Sequence, residues 1–549
     1  MSVKVGNGTI IGNENVCKLT GQVFHSYLGI PYAKPPIGDL RFQPPQKADK
    51  IEDEFDATME GDDCIQMSRI RPGTTGSEDC LYVNVYVPKN PEESNDKSLK
   101  PVIVYVHGGI FTYMSGSSTN FSPDYLVSRG VIVVTMNYRL HVFGFLDLAL
   151  PECPGNVGLL DQIMAFKWVK DNISYFGGDP DNVTAFGTSS GAVSIHLFAM
   201  SPLTRDLKLF NKIISASCNI FSCPIRKENA QDTAFELGHR LGYRGRNREA
   251  LLKFLRSIPA EELTEKMNDY YLAMKTEMKG DVFCFPFLPT VQKLKEGAVI
   301  PEDPNQMIKY RTKMPILTGL LNRDGLMGFY LEPFLMTFVI ENLFSVLQRN
   351  LKIADDDLPR VMDLIQSHYF QYRDLDYNAF PEAVNLFTDM FWLRRFYDQY
   401  QSELASEDCS VYVFEFKYDG GLNCYKKYYP LLTRWIEGAA HDDILGYCLP
   451  FKYDLASRFS NKRDLQVIKY VCTYLCNFAA TGNPNNDTLK TQWRNSTAKD
   501  PCYLQISDML KMTNGKINEK SAKVWERINK MVEEREIILK STADTPVDD

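Results

Sequence analysis

Short apolar runs alternate with segments of helical periodicity along most of this chain. The apolar runs are rich in β-branched residues and cover 101–106, 131–138, 183–186, 212–217, 315–320 and 411–418. Between the second and third runs, residues 159–173 repeat apolar positions with the period of a helix. Buried strands separated by helices are typical of a mostly parallel sheet covered on both faces. The pattern therefore predicts an α/β fold.

Two long segments lack a clear central strand and are richer in helical patterns. They cover residues 225–310 and 330–400. We expect them to be helical excursions that cover the site, because functional groups of such sheets collect beyond the carboxyl ends of the strands. Near the end of the chain, residues 518–540 have the pattern of a charged amphipathic surface helix.

Composition and charge restrict the class of protein. The chain has 549 residues, of which 44% are hydrophobic, and its formal net charge is −8. No linker-like tract or repeat divides it, which predicts a single domain over 1–549. The interspersed charges form no basic face, so no nucleic-acid partner is expected, and a neutral or apolar small molecule suits this balance better.

The sequence contains neither an apolar segment at its start nor a run long enough to cross a bilayer. We expect no membrane span and a cytoplasmic location, or secretion if the chain is a processed form. Its thirteen cysteines are an odd, scattered set, which is typical of free buried thiols. Cys64 and Cys80 are the exception, because they bracket a polar loop and are candidates for a pair.

One serine between glycines carries the most specific chemical signal. Residues 187–191 read Gly-Thr-Ser-Ser-Gly, between the apolar run 183–186 and the helix-compatible residues 192–198. In a strand–turn–helix of this kind the serine hydroxyl is exposed, and the glycines let strand and helix approach. The motif alone is also compatible with an ordinary turn. Its context makes Ser189 the predicted nucleophile.

The loop after strand 101–106 contains two consecutive glycines. Gly108 and Gly109, followed by Ile110, could turn backbone N–H groups toward a ligand oxygen, as an oxyanion hole requires. The alternative is a plain loop with two flexible glycines. His107 precedes the glycines, and we expect it to brace the loop rather than to react.

An acid and a base follow in the chain order Ser, Asp, His. Asp324 comes directly after strand 315–320, where the alternative is an aspartate of a surface turn. His441 is the more economical base, because His368 lies in a helix-like run and no other histidine follows Asp324. We expect Asp324 to orient His441, with a carboxylate directly after His441 as the alternative partner. This chemistry needs no metal ion or cofactor, and none is predicted.

Longer motifs surround these residues, and they resemble type-B carboxylesterases of the cholinesterase/carboxylesterase family. The resemblance is carried by residues 27–36, 40–42, 77–85, 155–162, 176–180 and 477–484. It implies the α/β-hydrolase fold, with Ser189, Asp324 and His441 as the triad. It also implies Gly108, Gly109, Ile110 and Ser190 as oxyanion donors.

The same resemblance implies several supporting features. They are the ion pairs Arg41–Glu78 and Arg139–Asp179, the disulfide Cys64–Cys80, Ser217 beside the triad acid, and an acyl-pocket segment over 283–291. That last segment is similar to the one in insect-type α-esterases, which detoxify esters.

The chain departs from the family pattern at several positions. Thr188 stands where the family usually has Glu, Ser190 where it has Ala, and Asp324 where it has Glu. Ile110 replaces a Gly or Ala, so we expect its branched side chain to crowd the acyl side. The loop 64–80 contains no Trp, the residue that holds a quaternary ammonium in cholinesterases, so choline esters are not expected substrates.

The sequence thus predicts a serine carboxylesterase that hydrolyses small apolar esters through an acyl-enzyme, in detoxification or turnover. Two alternatives remain. One is an esterase dedicated to a hormone or odorant. The other is a catalytically weak relative that sequesters a ligand or binds a partner, for which Thr188 and Ile110 are the motivating departures. The oligomeric state is left open.

Overall fold

The chain folds around an eleven-stranded sheet. The computed structural model describes residues 1–68, 71–89, 98–218, 220, 225, 230–277, 281, 283–331, 335–351, 353–404, 409–423, 426, 436–451 and 461–543.

The strands, numbered in chain order, are β1 (Ser2–Val5), β2 (Gly8–Ile11), β3 (Asn13–Val16), β4 (Val23–Pro31), β5 (Glu54–Asp56), β6 (Gln66–Met67), β7 (Thr74–Thr75), β8 (Tyr82–Pro88), β9 (Lys100–Val106), β10 (Ile132–Met136), β11 (Asp147–Leu150), β12 (Cys153–Pro154), β13 (Gly178–Thr188), β14 (Lys212–Ala216), β15 (Ile316–Leu321), β16 (Val411–Phe416), β17 (Cys502–Ile506) and β18 (Leu510–Asn514).

The α-helices are Asp124–Val127, His141–Phe145, Val157–Asn172, Ser190–Met200, Ala230–Arg240, Arg248–Ser257, Ala260–Glu277, Pro304–Met307, Leu326–Leu331, Leu335–Leu351, Leu358–Ile365, Phe380–Thr388, Arg394–Leu404, Lys462–Thr481 and Glu519–Ala543. Shorter 3-10 and π segments are Gly38–Leu40, Ile173–Phe176, Ile308–Tyr310, Gln366–Phe370, Tyr377–Ala379, Asp389–Leu393 and Asp443–Tyr447.

The central sheet has the order β18-β17-β16-β15-β14-β13-β9-β10-β8-β4-β3. Every neighbouring pair from β17 to β10 is parallel, and the pairs outside this range are antiparallel. The predicted mostly parallel sheet is confirmed. Each of the six apolar runs lies on one of these parallel strands, because a strand covered on both faces must be apolar along its length.

The two helical excursions are also confirmed within the described residues. The described residues of neither segment add a strand to the central sheet. Both segments contribute helices between β14 and β16. The C-terminal helix Glu519–Ala543 docks on the second excursion, because its buried Trp525 donates a hydrogen bond to the Tyr369 hydroxyl at 2.8 Å.

None of the described helices combines the length and the apolar content that crossing a membrane would require.

The segment from Cys64 to Cys80, which contains β6 and β7, is bridged at its ends as predicted. A disulfide joins Cys64 and Cys80, and Arg41 donates from Nε to Glu78 at 2.7 Å. The other cysteines in the described ranges form no disulfide. Cys223 and Cys424 lie outside those ranges.

The predicted ion pair between Arg139 and Asp179 is wrong. Arg139 instead donates from Nε and Nη2 to Asp161 at 2.8 and 2.7 Å, and both side chains are buried. The topology explains the difference. Arg139 follows the carboxyl end of β10, whereas Asp179 lies near the amino end of β13. The two residues therefore lie at opposite ends of the parallel strands.

We expect Asp161→Asn to lower the free energy of unfolding by roughly 3–5 kcal/mol, because it leaves the buried Arg139 guanidinium without its counter-charge. Urea denaturation measures this change. The matched control is Asp179→Asn, for which we expect a loss below about 1 kcal/mol, as for most partly exposed positions. The reverse ranking of the two variants would contradict the observed pairing.

Candidate active site

Ser189 lies in a sharp turn between β13 and the helix Ser190–Met200. Its φ and ψ are 53° and −129°, an unusual backbone conformation for a residue with a side chain. The turn depends on two glycines. A Cβ at Gly191 would collide with the Val106 carbonyl oxygen, and a Cβ at Gly187 would collide with Gly191 itself. The glycines of the motif are therefore required by the close approach of helix and strands, as predicted.

The loop after β9 lies against this turn. A Cβ placed on Gly108 would be 2.8 Å from the Ser189 Cβ. Gly109 and Ile110 both have positive φ, 104° and 54°. Within the described residues, the N–H groups of Gly109, Ile110 and Ser190 donate no hydrogen bond. Backbone donors are thus available next to the serine, which is the arrangement expected of an oxyanion hole.

Two side chains hold this loop in place. The ring of His107 stacks on Tyr138 with centroids 4.3 Å apart, and its Nδ1 donates to the Gly108 carbonyl at 2.8 Å. Burial lowers the pKa of His107 to about 4, so the ring is neutral at ordinary pH. The Ser190 hydroxyl accepts a hydrogen bond from the Phe111 N–H at 3.3 Å. His107 braces the loop, as expected, and Ser190 adds a tether that alanine would lack.

Asp324 and His441 are brought together by two adjacent loops. A parallel bridge pairs Arg323 with Ala440, one residue before each of them. His441 Nδ1 then lies 2.8 Å from Asp324 Oδ1, and Asp324 Oδ2 accepts the Leu321 N–H at 2.8 Å. The bridge sets the two residues in register, and the carboxylate fixes which ring nitrogen carries the proton.

The other ring nitrogen of His441 points away from Asp324. Nε2 makes no hydrogen bond to any part of the chain that the structure describes. The carboxylate directly after His441 is near this side of the ring, with Asp442 Oδ2 3.9 Å from Nε2. The same oxygen would lie 3.5 Å from a Cβ on Gly108, so this side of the ring faces the loop that contacts Ser189.

The charges around the ring determine its protonation. Burial opposes the charged form of His441, but the carboxylates of Asp442 and Asp324 outweigh it and raise the pKa of the imidazole above its ordinary value. Burial likewise raises the pKa of Asp324, and the hydrogen bond from His441 offsets part of that rise. The pair is thus built to accept a proton on Nε2.

Ser217 lies at the end of β14 with φ of 61° and is fully buried. Its hydroxyl is among the groups that lower the pKa of Asp324, although Oγ has no well-oriented hydrogen bond within the described ranges. This places Ser217 beside the acid, where the resemblance implied it.

The second helical excursion reaches the site through Trp392, which the sequence analysis missed. The centroids of the Trp392 and His441 rings are 5.4 Å apart, and those of the Phe283 and Trp392 rings are 6.2 Å apart. Phe283 begins the predicted acyl-pocket segment, so this segment is linked to the base by one aromatic ring. Nothing in the local sequence marks Trp392, because the chain fold alone brings it there.

Among the described residues, no group of three or more His, Cys, Asp or Glu side chains is arranged to hold a metal ion.

Comparisons with known sequences point to one family. The sequence profile of the carboxylesterase family matches residues 1–525. Esterase FE4 of Myzus persicae is 30% identical over 506 residues, which cover 88% of this chain and 85% of that protein. The juvenile hormone esterase of Tribolium castaneum is 30% identical over 535 residues, covering 91% and 87%.

A solved structure shares the whole architecture. The juvenile hormone esterase of Manduca sexta, with OTFP covalently attached, superimposes with a TM-score of 0.80 at 26% identity. The likeness covers 97% of this chain and 99% of that one. It confirms the α/β-hydrolase fold predicted from the strand pattern and the motifs.

We expect a titration of His441 by NMR to give a pKa above the ordinary value of a histidine. Asp324→Asn should lower this pKa, because the variant removes a carboxylate from Nδ1. The chain has only seven histidines, and a His441→Gln sample identifies the signal. A pKa unchanged in Asp324→Asn would contradict the assigned contact. His107 serves as the internal control, since its pKa should stay near 4 in both samples.

Proposed function

We propose that this chain, which belongs to the carboxylesterase family and is a carboxylic ester hydrolase, cleaves its substrates through an acyl-enzyme formed on Ser189. The proposal rests on the arrangement of groups around the His441 ring. Its Nδ1 is held by Asp324 at 2.8 Å, and its Nε2 is left without a hydrogen bond among the described residues.

Nε2 of His441 accepts the Ser189 proton while the serine oxygen attacks the ester carbonyl carbon. Negative charge then develops on the carbonyl oxygen, where the N–H groups of Gly109, Ile110 and Ser190 stabilise it. Gly108 contributes by letting the loop approach the serine.

Collapse of this intermediate breaks the ester bond, and His441 returns its proton to the departing alcohol. Asp324 stabilises the imidazolium present between these steps. A water molecule then attacks the acyl carbon with His441 again as the base. The bond from that carbon to the Ser189 oxygen breaks, His441 returns the proton to this oxygen, and the carboxylic acid leaves. Water is the only co-reactant.

The Manduca sexta enzyme supports the covalent route, because its structure holds OTFP covalently attached. We propose small apolar esters as the substrate class, in detoxification or turnover. The apolar segment over 283–291 and the aromatic contact from Phe283 to Trp392 favour an uncharged acyl group.

A hormone esterase is the second candidate. The similarity to the juvenile hormone esterases of Tribolium castaneum and Manduca sexta favours it. Comparing kcat/KM for juvenile hormone with that for naphthyl and nitrophenyl esters separates the two. A preference of a hundredfold or more for the hormone, roughly 2.7 kcal/mol, would indicate a dedicated site.

We expect Ser189→Ala to lower kcat on a nitrophenyl ester by about 10⁴- to 10⁶-fold, because the nucleophile is lost while the backbone donors remain. The matched control is Ser194→Ala on the same helix, which removes only a hydrogen bond to the Ser190 carbonyl. It should keep most of the activity. More than about a tenth of the original activity in Ser189→Ala would contradict the proposed nucleophile.

We expect Ile110→Gly to widen the range of acyl groups. Ile110 has a positive φ, which is unfavourable for a β-branched residue, and we propose that its side chain lies beside the acyl group. Removing such a clash changes kcat/KM by about 10- to 200-fold, here in favour of hexanoyl over acetyl esters. Ile110→Val is the control and should shift the preference little. An unchanged preference in Ile110→Gly would mean that the side chain points elsewhere.

A further inference from the structure

A second buried carboxylate lies at the active site. Asp442 is only 2% exposed, and its φ of 61° turns the residue after His441 back toward the ring. Its Oδ2 lies 3.9 Å from His441 Nε2, whereas Asp324 contacts Nδ1. The two carboxylates therefore approach the imidazole from its two nitrogen atoms.

Asp442 also lies beside the residue that precedes the nucleophile. The Thr188 hydroxyl favours the ionised form of Asp442 and is itself 3.1 Å from the Tyr105 hydroxyl. A carboxylate is thus present next to the nucleophile, although it comes from the loop that carries the base.

Stability does not account for this arrangement. Asp442 Oδ1 is buried and has no hydrogen-bond partner among the described residues. A buried carboxylate with an unsatisfied oxygen destabilises the folded state. Asp443, the next residue, is the contrasting case, because its Oδ2 accepts the Ala440 N–H at 2.7 Å and so holds the loop.

We propose that Asp442 is a positioning residue for His441, whose carboxylate stabilises the imidazolium that forms when Nε2 accepts the Ser189 proton. The inference rests on the function proposed above and adds a second carboxylate to it. Asp324 fixes the ring and its tautomer, and Asp442 attracts the charge that appears on the reacting side.

The charged and titratable groups around this centre are few in the described part of the chain. Asp324, Asp442 and Asp443 face His441, and the Tyr105 hydroxyl is close enough for Asp442 to affect its pKa. Burial raises the pKa of Asp442 to about 6, and His441 offsets part of the rise. Asp442 is therefore ionised at neutral pH and raises the pKa of His441. When the pH is lowered, activity then begins to fall at a higher pH than it would if Asp324 were the only carboxylate acting on the ring.

The test is the pH profile of kcat and kcat/KM for Asp442→Asn on a nitrophenyl ester. Titration with a fluorophosphonate counts the folded, competent sites, and rates are expressed per site. Removing a charge about 4 Å from Nε2 lowers the imidazole pKa, so the acid limb should move to lower pH by about one unit or more. The plateau of kcat should fall about tenfold, because the imidazolium loses support, with KM little changed.

Three variants separate this role from a structural one. Asp443→Asn removes the neighbouring carboxylate and should move the acid limb by less than half as much. Thr188→Val removes the hydroxyl that favours ionised Asp442, so it should move the limb in the same direction by a smaller amount. Thr188→Ser keeps the hydroxyl and should leave the profile unchanged.

A lower plateau with an unmoved acid limb in Asp442→Asn would overturn the proposal, since a packing defect alone gives that result. An equal shift in Asp443→Asn would also overturn it. If Asp442→Asn yields no titratable sites, the comparison of Thr188→Val with Thr188→Ser decides the question. Identical pH profiles for these two variants would contradict the proposed role of Asp442. Ser189→Ala tests the proposed function separately from the role of Asp442. If that variant is inactive while the limb of Asp442→Asn does not move, only this inference fails.

Discussion

The whole site depends on how closely the turn at Ser189 approaches the strand β9. The helix that follows the serine begins against the Val106 carbonyl, and only a residue without a side chain fits at position 191. This approach brings Gly108 onto the Ser189 Cβ and sets the backbone donors of the β9 loop beside the serine. Moving the helix away by the width of a methyl group would separate the nucleophile from its donors, and misplacement of about 1 Å can cost a hundredfold in rate.

Burial of charge is the second constraint, and it follows from the first. A helix and loops packed this tightly leave the side chains of His441, Asp324 and Asp442 almost fully buried. In such surroundings neighbouring charges act strongly on one another, so the carboxylates control the proton on the ring. The neutral His107 shows the opposite outcome. It is also buried, but the contacts of its ring are with the Gly108 carbonyl and the Tyr138 ring, and its pKa falls instead of rising.

The parallel strands and the placement of their loops could be predicted from the sequence, because strands buried on both faces are apolar throughout. The edge strands could not. Asn13–Val16 and Leu510–Asn514 are half-exposed and polar, and nothing in their composition separates them from loops.

The contact between Asp324 and His441 followed from chain order. The partner of Arg139 could not be predicted, because motif similarity contains no information about which end of a strand a residue occupies. The position of Trp392 depends on the path of the second excursion, and the position of the Asp442 side chain depends on one positive φ. The single-domain prediction and the location in the cell stay predictions.

In the proposed mechanism, the hydroxyl oxygen of Ser189 is the nucleophile and carries the acyl group. Labelling the intact protein with a fluorophosphonate, digesting it and sequencing the modified peptide by mass spectrometry tests that claim most directly. We expect one phosphonyl group per chain, located on Ser189, with none on the adjacent Ser190. A label on any other residue, or an unlabelled protein that still hydrolyses esters, would contradict it.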